Sequence, residues 1–442
     1  MRYRAVRPLP LLLGVFIGCL LSACSNSEGV DGDSALGWNS EDSAYDIRTA
    51  ENPLTNSADF RDSAPPIVEY LPLDDSEYPY AGIPRIVIET ENHREIKDRE
   101  TEIPAKLQIW GETAPESEIM ELTIRGRGNT TWNYPKKPYA IKFEKKQAFL
   151  GMPNAKKWIF LANYRDRTLI RNVLSLEIAR QTDIGWTPQG RFVEVFLNGK
   201  YLGNYFMCEK IEIKKERLNT GKESYLLELD NNDDGNPRFY TKYKNYPVNI
   251  KSPEAPSQEQ MDFIKSYFDS IETALYEKKD SDNLDGLIDL RTFALYWIVH
   301  ELTTNTEPRV PRSVYMYKEP GKPLKAGPVW DFDWGTFDPK QDSLILAKGL
   351  WLDVLQENDQ FTSIVKQEWE NNKGKFLSLT DFIDSLSVYT KKTNERNYAR
   401  WSLQIGDALT GDEELDFDSA IEMLKKTFKD RIQMLDVFYD LL

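Results

Sequence analysis

The chain has 442 residues, 71 of them acidic against 56 basic, for a net charge of -15 at neutral pH, with 40% hydrophobic and 12% aromatic content. That balance argues against a nucleic-acid partner, because phosphate-backbone binding is built on a surplus of Lys and Arg; the apolar content is ample for the core of one large domain or two. Only two histidines are present, His93 and His300, far apart, which disfavours histidine-dependent zinc or triad chemistry.

The first residues read as a lipoprotein signal peptide over 1–23. Arg2, Arg4 and Arg7 precede an apolar run from Leu9 to Leu21, followed by Ser22-Ala23-Cys24. The run is too short for a permanent span, and small residues before Cys24 fit a cleavage site. Cys24 is then the lipidated N-terminus, and Cys208 remains alone inside the mature chain, so no internal disulfide is expected. Residues 24–82, rich in Ser, Asp, Glu, Asn and Pro, read as a flexible tether. The expected location is the bacterial cell envelope, as an outer-membrane-type lipoprotein that is periplasmic or surface-exposed. The lipid is the membrane link, with no transmembrane helix in the mature chain.

Alternating apolar residues predict strands between Ile83 and Ile109, at Ile86 and Ile88 and again at Ala105, Leu107 and Ile109. Two strands are predicted within Glu121–Lys146, around the loop Arg125-Gly126-Arg127-Gly128-Asn129-Thr130-Thr131. Residues Asp166–Gln181 read as an amphipathic helix with Ile170, Val173 and Leu174 on one face. Glu177 falls in the middle of that face and must be paired. Phe192–Leu197, Asn198-Gly199 and Tyr201–Ile213 form a predicted hairpin, since Asn-Gly supplies the positive φ angles of a two-residue turn. Ser224–Leu229 adds a strand. Gln258–Glu277 and Asp289–Thr303 are predicted helices, and everything after Leu344 reads as helical. Strands fill the first half and helices the second, so the fold class is α+β.

The segment Val329-Trp330-Asp331-Phe332-Asp333-Trp334 carries the most chemistry. Read as a short strand, it projects Asp331 and Asp333 from one face. Two such carboxylates need a cation, either Mg²⁺ or Arg and Lys from the same fold. The loop Arg125–Thr131 offers glycines, arginines and hydroxyls suited to an anion such as phosphate; the plain alternative is a tight turn with exposed arginines. Ala140 and Lys142 share one strand face, leaving room for a flat base beside an ammonium. Glu177 could fix that lysine, as a helix glutamate does in protein kinases, or could pair locally with Arg180 or Arg171. Asn305 and Glu307 follow the Asp289–Thr303 helix, where a general base and a metal-binding amide would sit, or where an amide simply caps a helix. Asp230-Asn231-Asn232-Asp233-Asp234-Gly235 resembles half a calcium loop, but position twelve is Thr241, so a polar turn is expected.

Read in order, Arg125-Gly126-Arg127-Gly128-Asn129, Tyr134-Pro135-Lys136-Lys137-Pro138-Tyr139, Leu150-Gly151-Met152-Pro153 and Asn163-Tyr164-Arg165-Asp166 resemble the spore coat protein H (CotH) kinase family. The likeness continues through Trp186-Thr187-Pro188, Glu209–Ile213, Glu301–Asn305 and Gly327–Trp334, over residues 83–340, with a helical region 341–442 packed behind. The resemblance implies an atypical protein-kinase-like fold, binding of ATP with Mg²⁺, and phosphorylation of serine on a partner protein. It would make Asp331 the metal aspartate with Asp333 beside it, put Lys142 on the phosphates, and have Glu177 orient it. Where the family carries a catalytic aspartate after Asn305, this chain has Glu307. The alternative of another class is a non-catalytic surface module that binds protein or glycan partners.

Overall fold

The computed structural model describes residues 69–278 and 284–442. The signal peptide, Cys24 and most of the tether lie outside them. Seven strands build the first half: β1 (Arg85–Thr90), β2 (Ile103–Trp110), β3 (Met120–Gly126), β4 (Tyr139–Phe149), β5 (Met152–Leu161), β6 (Gly190–Leu197) and β7 (Lys200–Glu209). They close into a barrel in the order β1-β2-β3-β4-β5-β7-β6. Every neighbouring pair is antiparallel except β1 and β6, whose parallel register from Arg85↔Glu194 to Ile88↔Leu197 completes the ring. Closure removes the exposed edges that such a sheet would otherwise present. Alternate residues point inward, so Ile86, Leu107, Ile124, Ile141, Trp158 and Tyr205 fill the barrel.

The hairpin of β6 and β7 turns at Asn198 (φ 50°) and Gly199 (φ 71°), as the Asn-Gly pair requires. Asn198 also accepts from the Thr90 backbone N–H at 2.8 Å, tying the turn to β1. Helix α1 (Arg171–Arg180) lies between β5 and β6. It is buried on all sides up to Ala179 rather than amphipathic, because it sits between the barrel and the helices behind it.

A second sheet has the order β12-β11-β8-β10-β9, from β8 (Tyr225–Leu229), β9 (Arg238–Tyr240), β10 (Pro247–Ser252), β11 (Val314–Lys318) and β12 (Leu324–Ala326), all antiparallel. Helices α2 (Gln258–Thr273), α3 (Leu284–Leu287), α4 (Leu290–Leu302), α5 (Leu352–Leu355), α6 (Asp359–Arg400) and α7 (Phe417–Leu441) complete the α+β fold. Ser257 starts α2 with a reciprocal capping box: its Oγ accepts from Gln260 N–H at 3.2 Å, and its N–H donates to Gln260 Oε1 at 2.9 Å. The region after Leu344 is less uniformly helical than its periodicity predicts, since α5 is a single turn and residues 401–416 form a loop.

Helix α6 runs 42 residues and is latched to the barrel by a buried lysine. The Lys136 ammonium donates to Ala162 O at 2.8 Å, to Asn204 O, and to Asn397 Oδ1 of α6 at 2.8 Å. It also faces the Tyr205 ring at 4.5 Å. All of these partners are neutral, and burial holds its pKa well below the usual lysine value. Asn397 Oδ1 also accepts from Asn204 N–H, and a Cβ on the neighbouring Gly203 (φ 96°) would lie 2.5 Å from that oxygen. The latch requires glycine there.

Residues 70–83 correct the predicted tether. Leu71 is buried and its N–H donates to Gln108 Oε1 at 2.8 Å. Tyr78 stacks on Tyr201 at 4.0 Å, and Arg85 pairs with Asp75. The packed chain therefore begins about ten residues before its alternating pattern does, because single anchors such as Leu71 and Tyr78 carry no period.

Candidate functional site

Asp331 is not on a strand. Its backbone is left-handed (φ 65°), and its carbonyl accepts from Asn305 Nδ2 at 3.0 Å instead of entering a ladder. The expected extended segment Val329–Trp334 is thus corrected, although both carboxylates still face one space. Asn305 is fully buried after α4, and its Oδ1 accepts from Glu307 N–H at 3.1 Å. One side-chain amide thereby fixes the backbones that carry Glu307 and Asp331. Ser313 completes the frame by donating from Oγ to Asp331 Oδ2 at 2.8 Å and from N–H to Asp230 Oδ2 at 3.3 Å. Thr304, Ser313 and Asp331 all have φ above 50° without being glycine. Such conformations cost about 1–3 kcal/mol each and persist where surrounding structure holds them.

Behind this frame, Phe332 N–H donates to Asn172 Oδ1 at 3.3 Å, and Asn172 donates to Asn163 Oδ1 at 2.9 Å. The Phe332 ring stacks on buried His300, at 5.2 Å between centroids, and His300 packs on Tyr296 at 4.1 Å. Burial pushes the His300 imidazole down to about 3, which keeps it neutral inside the core.

Glu307, Asp331 and Asp333 line one cavity of about 1140 Å³. Desolvation, then the charges of Asp331 and Glu307, push the Asp333 carboxyl well above its usual range, while Arg127 pulls the other way. Desolvation followed by the Asp331 charge lifts Glu307 to about 7, opposed by Arg312. Desolvation also raises Asp230, at the same end. The group must hold a proton or attract a cation. Among the described residues, no set of three or more His, Cys, Asp or Glu encloses a metal ion by itself. A cation here would draw its other ligands from water or a bound anion, which suits Mg²⁺.

The same cavity is also lined by Arg125, Arg127, Lys142, Lys157, Lys210 and Lys251, with Glu102, Glu212, Glu228 and Glu254 among them. Lys142 and Asp331 therefore share a cavity. The Lys142 ammonium lies 4.0 Å from Glu102, with both side chains about half exposed, so the ion pair is weak. Glu177 is elsewhere. Its carboxylate accepts from Arg180 Nη1 at 2.5 Å and Gln181 Nε2 at 2.6 Å, and it does not line the cavity. The proposed pairing with Lys142 is corrected, because partners three and four residues along one helix are already in reach. Glu177→Gln is accordingly expected to leave nucleotide affinity unchanged in a titration; a tenfold loss would restore the pairing.

The loop after β3 is also less open than its glycines imply. Gly126 N–H donates to Asp98 O at 3.1 Å and Arg127 N–H to Pro138 O at 3.2 Å. Gly126 does not line the cavity, whereas Gly128 and the Arg125 and Arg127 side chains do. Arg125 Nη1 bonds to the carbonyls of Arg99 and Gly126, which leaves its charge uncompensated. Asn305 is corrected from a metal-binding amide to a structural one, since both ends of its amide are engaged. Sequence reasoning missed Asp230, Ser313, Lys157 and Lys210. The first was read as a turn, and the others carry no local signal.

The protein is thus a mixed α+β fold in which a carboxylate cluster and several basic groups line one cavity. The chain matches the family described as CotH kinase protein over residues 124–435. It belongs to that family. A comparison with curated proteins finds no match.

Proposed function

We propose that this protein is an ATP- and Mg²⁺-dependent kinase that transfers the γ-phosphoryl group to a hydroxyl side chain of a partner protein. The observation that carries the reading is the convergence of Glu307, Asp331 and Asp333 in the cavity that also receives Lys142, Arg125 and Arg127. Asp331 and Asp333 would hold Mg²⁺, which when bound supplies positive charge to the phosphoryl oxygens. Lys142, Arg125 and Arg127 bind and orient the phosphates. Glu307, lifted to about 7, is poised to accept the hydroxyl proton near neutral pH. Family membership supports kinase-like chemistry; the nucleotide, the metal and the acceptor are the proposal.

Mg²⁺-ATP is expected to raise the unfolding temperature, and Asp331→Asn to remove that rise. No shift at millimolar nucleotide would overturn the reading. The lipoprotein signal read over 1–24 would set this activity in the cell envelope; Cys24→Ala is expected to release the protein from membranes on fractionation.

The carboxylates also set a pH dependence. Glu307 has a folded pKa of about 7, above the ordinary 4.5. Between those values the folded state keeps a proton that the unfolded chain has lost, so stability of the metal-free protein falls as pH rises through that window. Asp333 acts in the same direction. Urea unfolding at about pH 5 and about pH 8 is expected to show lower stability at the higher value, with a smaller difference in Glu307→Gln and in the presence of Mg²⁺. Equal slopes in the two proteins would show that Glu307 is not desolvated.

A further inference from the structure

Lys142 and Lys157 are directly opposed in the register of β4 and β5. Trp158 is opposed to Glu209 across β5 and β7, and one step further along that register sets Lys210 beside Lys157. Lys142 on β4, Lys157 on β5 and Lys210, one residue past the end of β7, thus follow one another across the sheet, and all three line the cavity. Like charges directly opposed on a sheet repel and destabilise it, and among the described residues the one carboxylate within ion-pair reach of the row, Glu102, sits 4.0 Å from Lys142 and is half exposed, so the row calls for an anion.

The row is built in from behind. Arg217, almost fully buried, donates from Nη2 to Lys157 O at 2.7 Å and from Nη1 to Lys210 O at 2.9 Å. Its own charge is met by Glu212 at 2.8 Å and Glu209 at 3.9 Å, and its guanidinium lies over the Trp158 ring at 5.1 Å. One guanidinium therefore pins the backbones of both lysines side by side. Among the described residues, neither Lys157 nor Lys210 has a carboxylate within 4.0 Å of its ammonium, whereas Lys251 is paired with Glu228 at 3.0 Å. Burial, followed by the Lys157 charge, brings Lys210 down to about 8 against the opposing charge of Glu212, which is itself held by Arg217.

We infer that Lys157 and Lys210, next to Lys142, form the seat for the linear polyphosphate of the nucleotide, pre-positioned by Arg217. The inference rests on the kinase reading for the nucleotide but not for the seat, which would take a polyphosphate chain alone. Lys157 and Lys210, with Lys142 held only loosely by Glu102, suit the charge of a triphosphate, and Asp331 and Asp333, which would hold the metal, line the same cavity.

The test is calorimetric titration of the full mature chain with metal-free inorganic tripolyphosphate, and separately with Mg²⁺-ATP. Lys157→Gln and Lys210→Gln are expected to weaken both ligands by about tenfold each, as loss of a charge-assisted hydrogen bond does. Lys157→Arg and Lys210→Arg are expected to retain binding, which separates loss of charge from loss of fold. Lys215→Gln, 89% exposed and outside the cavity, is the control. Wild-type affinity for both ligands in the Gln variants would overturn the seat and leave the kinase reading standing. Tripolyphosphate binding that the Gln variants weaken, with no binding of Mg²⁺-ATP, would keep the seat and overturn the nucleotide. Failure of the wild-type protein to bind tripolyphosphate would also overturn the seat.

Discussion

Asp331→Asn is expected to fold and to lose phosphoryl transfer by about a thousandfold, the upper range for removing one electrostatic stabiliser of a transition state. Asparagine is the informative replacement. Position 331 has φ 65°, a region that Asn tolerates better than Ala, and an amide oxygen can still accept from Ser313 Oγ. The frame of Asn305, Ser313 and Glu307 is then preserved while one negative charge disappears. Asp331 is a leading charge raising both Asp333 and Glu307, so the metal-free variant is expected to be more stable than wild type near pH 8. Lower activity with higher metal-free stability is the pattern of a residue held in an unfavourable setting for function. Rates from labelled-phosphate transfer, with urea unfolding on the same samples, decide it: activity within threefold of wild type would remove Asp331 from the chemistry.

Glu301→Ala should destabilise the fold by about 3–5 kcal/mol, the cost of removing one member of a buried ion pair. The Glu301 carboxylate is completely buried and meets four donors: Arg431 Nη2 at 2.7 Å, Leu346 N–H at 2.7 Å, Ile345 N–H at 2.9 Å and Trp297 Nε1 at 3.0 Å. Arg431 also donates to the carbonyls of Glu301 and Ser343, each at 2.8 Å. Truncation strands a guanidinium on α7 and three N–H groups with no water to replace the carboxylate. Replacing the pair together, by Glu301→Leu with Arg431→Met, is expected to cost less than Glu301→Ala alone, because no charge is left behind. A denaturation curve for the single variant within about 1 kcal/mol of wild type would show that water reaches this site.

What could be read from the chain before its fold was what neighbours along the chain determine. The Asn198-Gly199 hairpin, the strands on either side of the Arg125–Thr131 loop and the α4 helix depend on periods and turn residues, and they stand where those signals put them. The carboxylates of the site were legible as residue types but not as geometry. The left-handed turn at Asp331 is imposed by Asn305, 26 residues away, so no local pattern distinguishes it from a strand. Barrel closure was hidden for the same reason, because β1 meets β6 in parallel across more than a hundred residues. Lys157 and Lys210 become neighbours only once β5 pairs with β7, skipping α1 and β6. Glu177 shows the opposite failure. Its place on the apolar face suits a distant lysine as partner, but an arginine one turn away takes the contact.

The Lys136 latch bears on how the chain can be cut. Matched motifs up to about residue 340 invite a shortened protein ending there, but that protein would lack Asn397, leaving a buried ammonium one acceptor short. It would also lack Asp412, the partner at 2.6 Å of Arg171, whose other carboxylate, Asp166, belongs to the stretch that holds Asn163 and, through Asn172, the backbone of Phe332. Expression trials, domain transplants and split reporters should therefore treat residues 341–442 as inseparable from the barrel. A chain divided at that point is expected to yield insoluble halves, not a minimal enzyme and a dispensable tail.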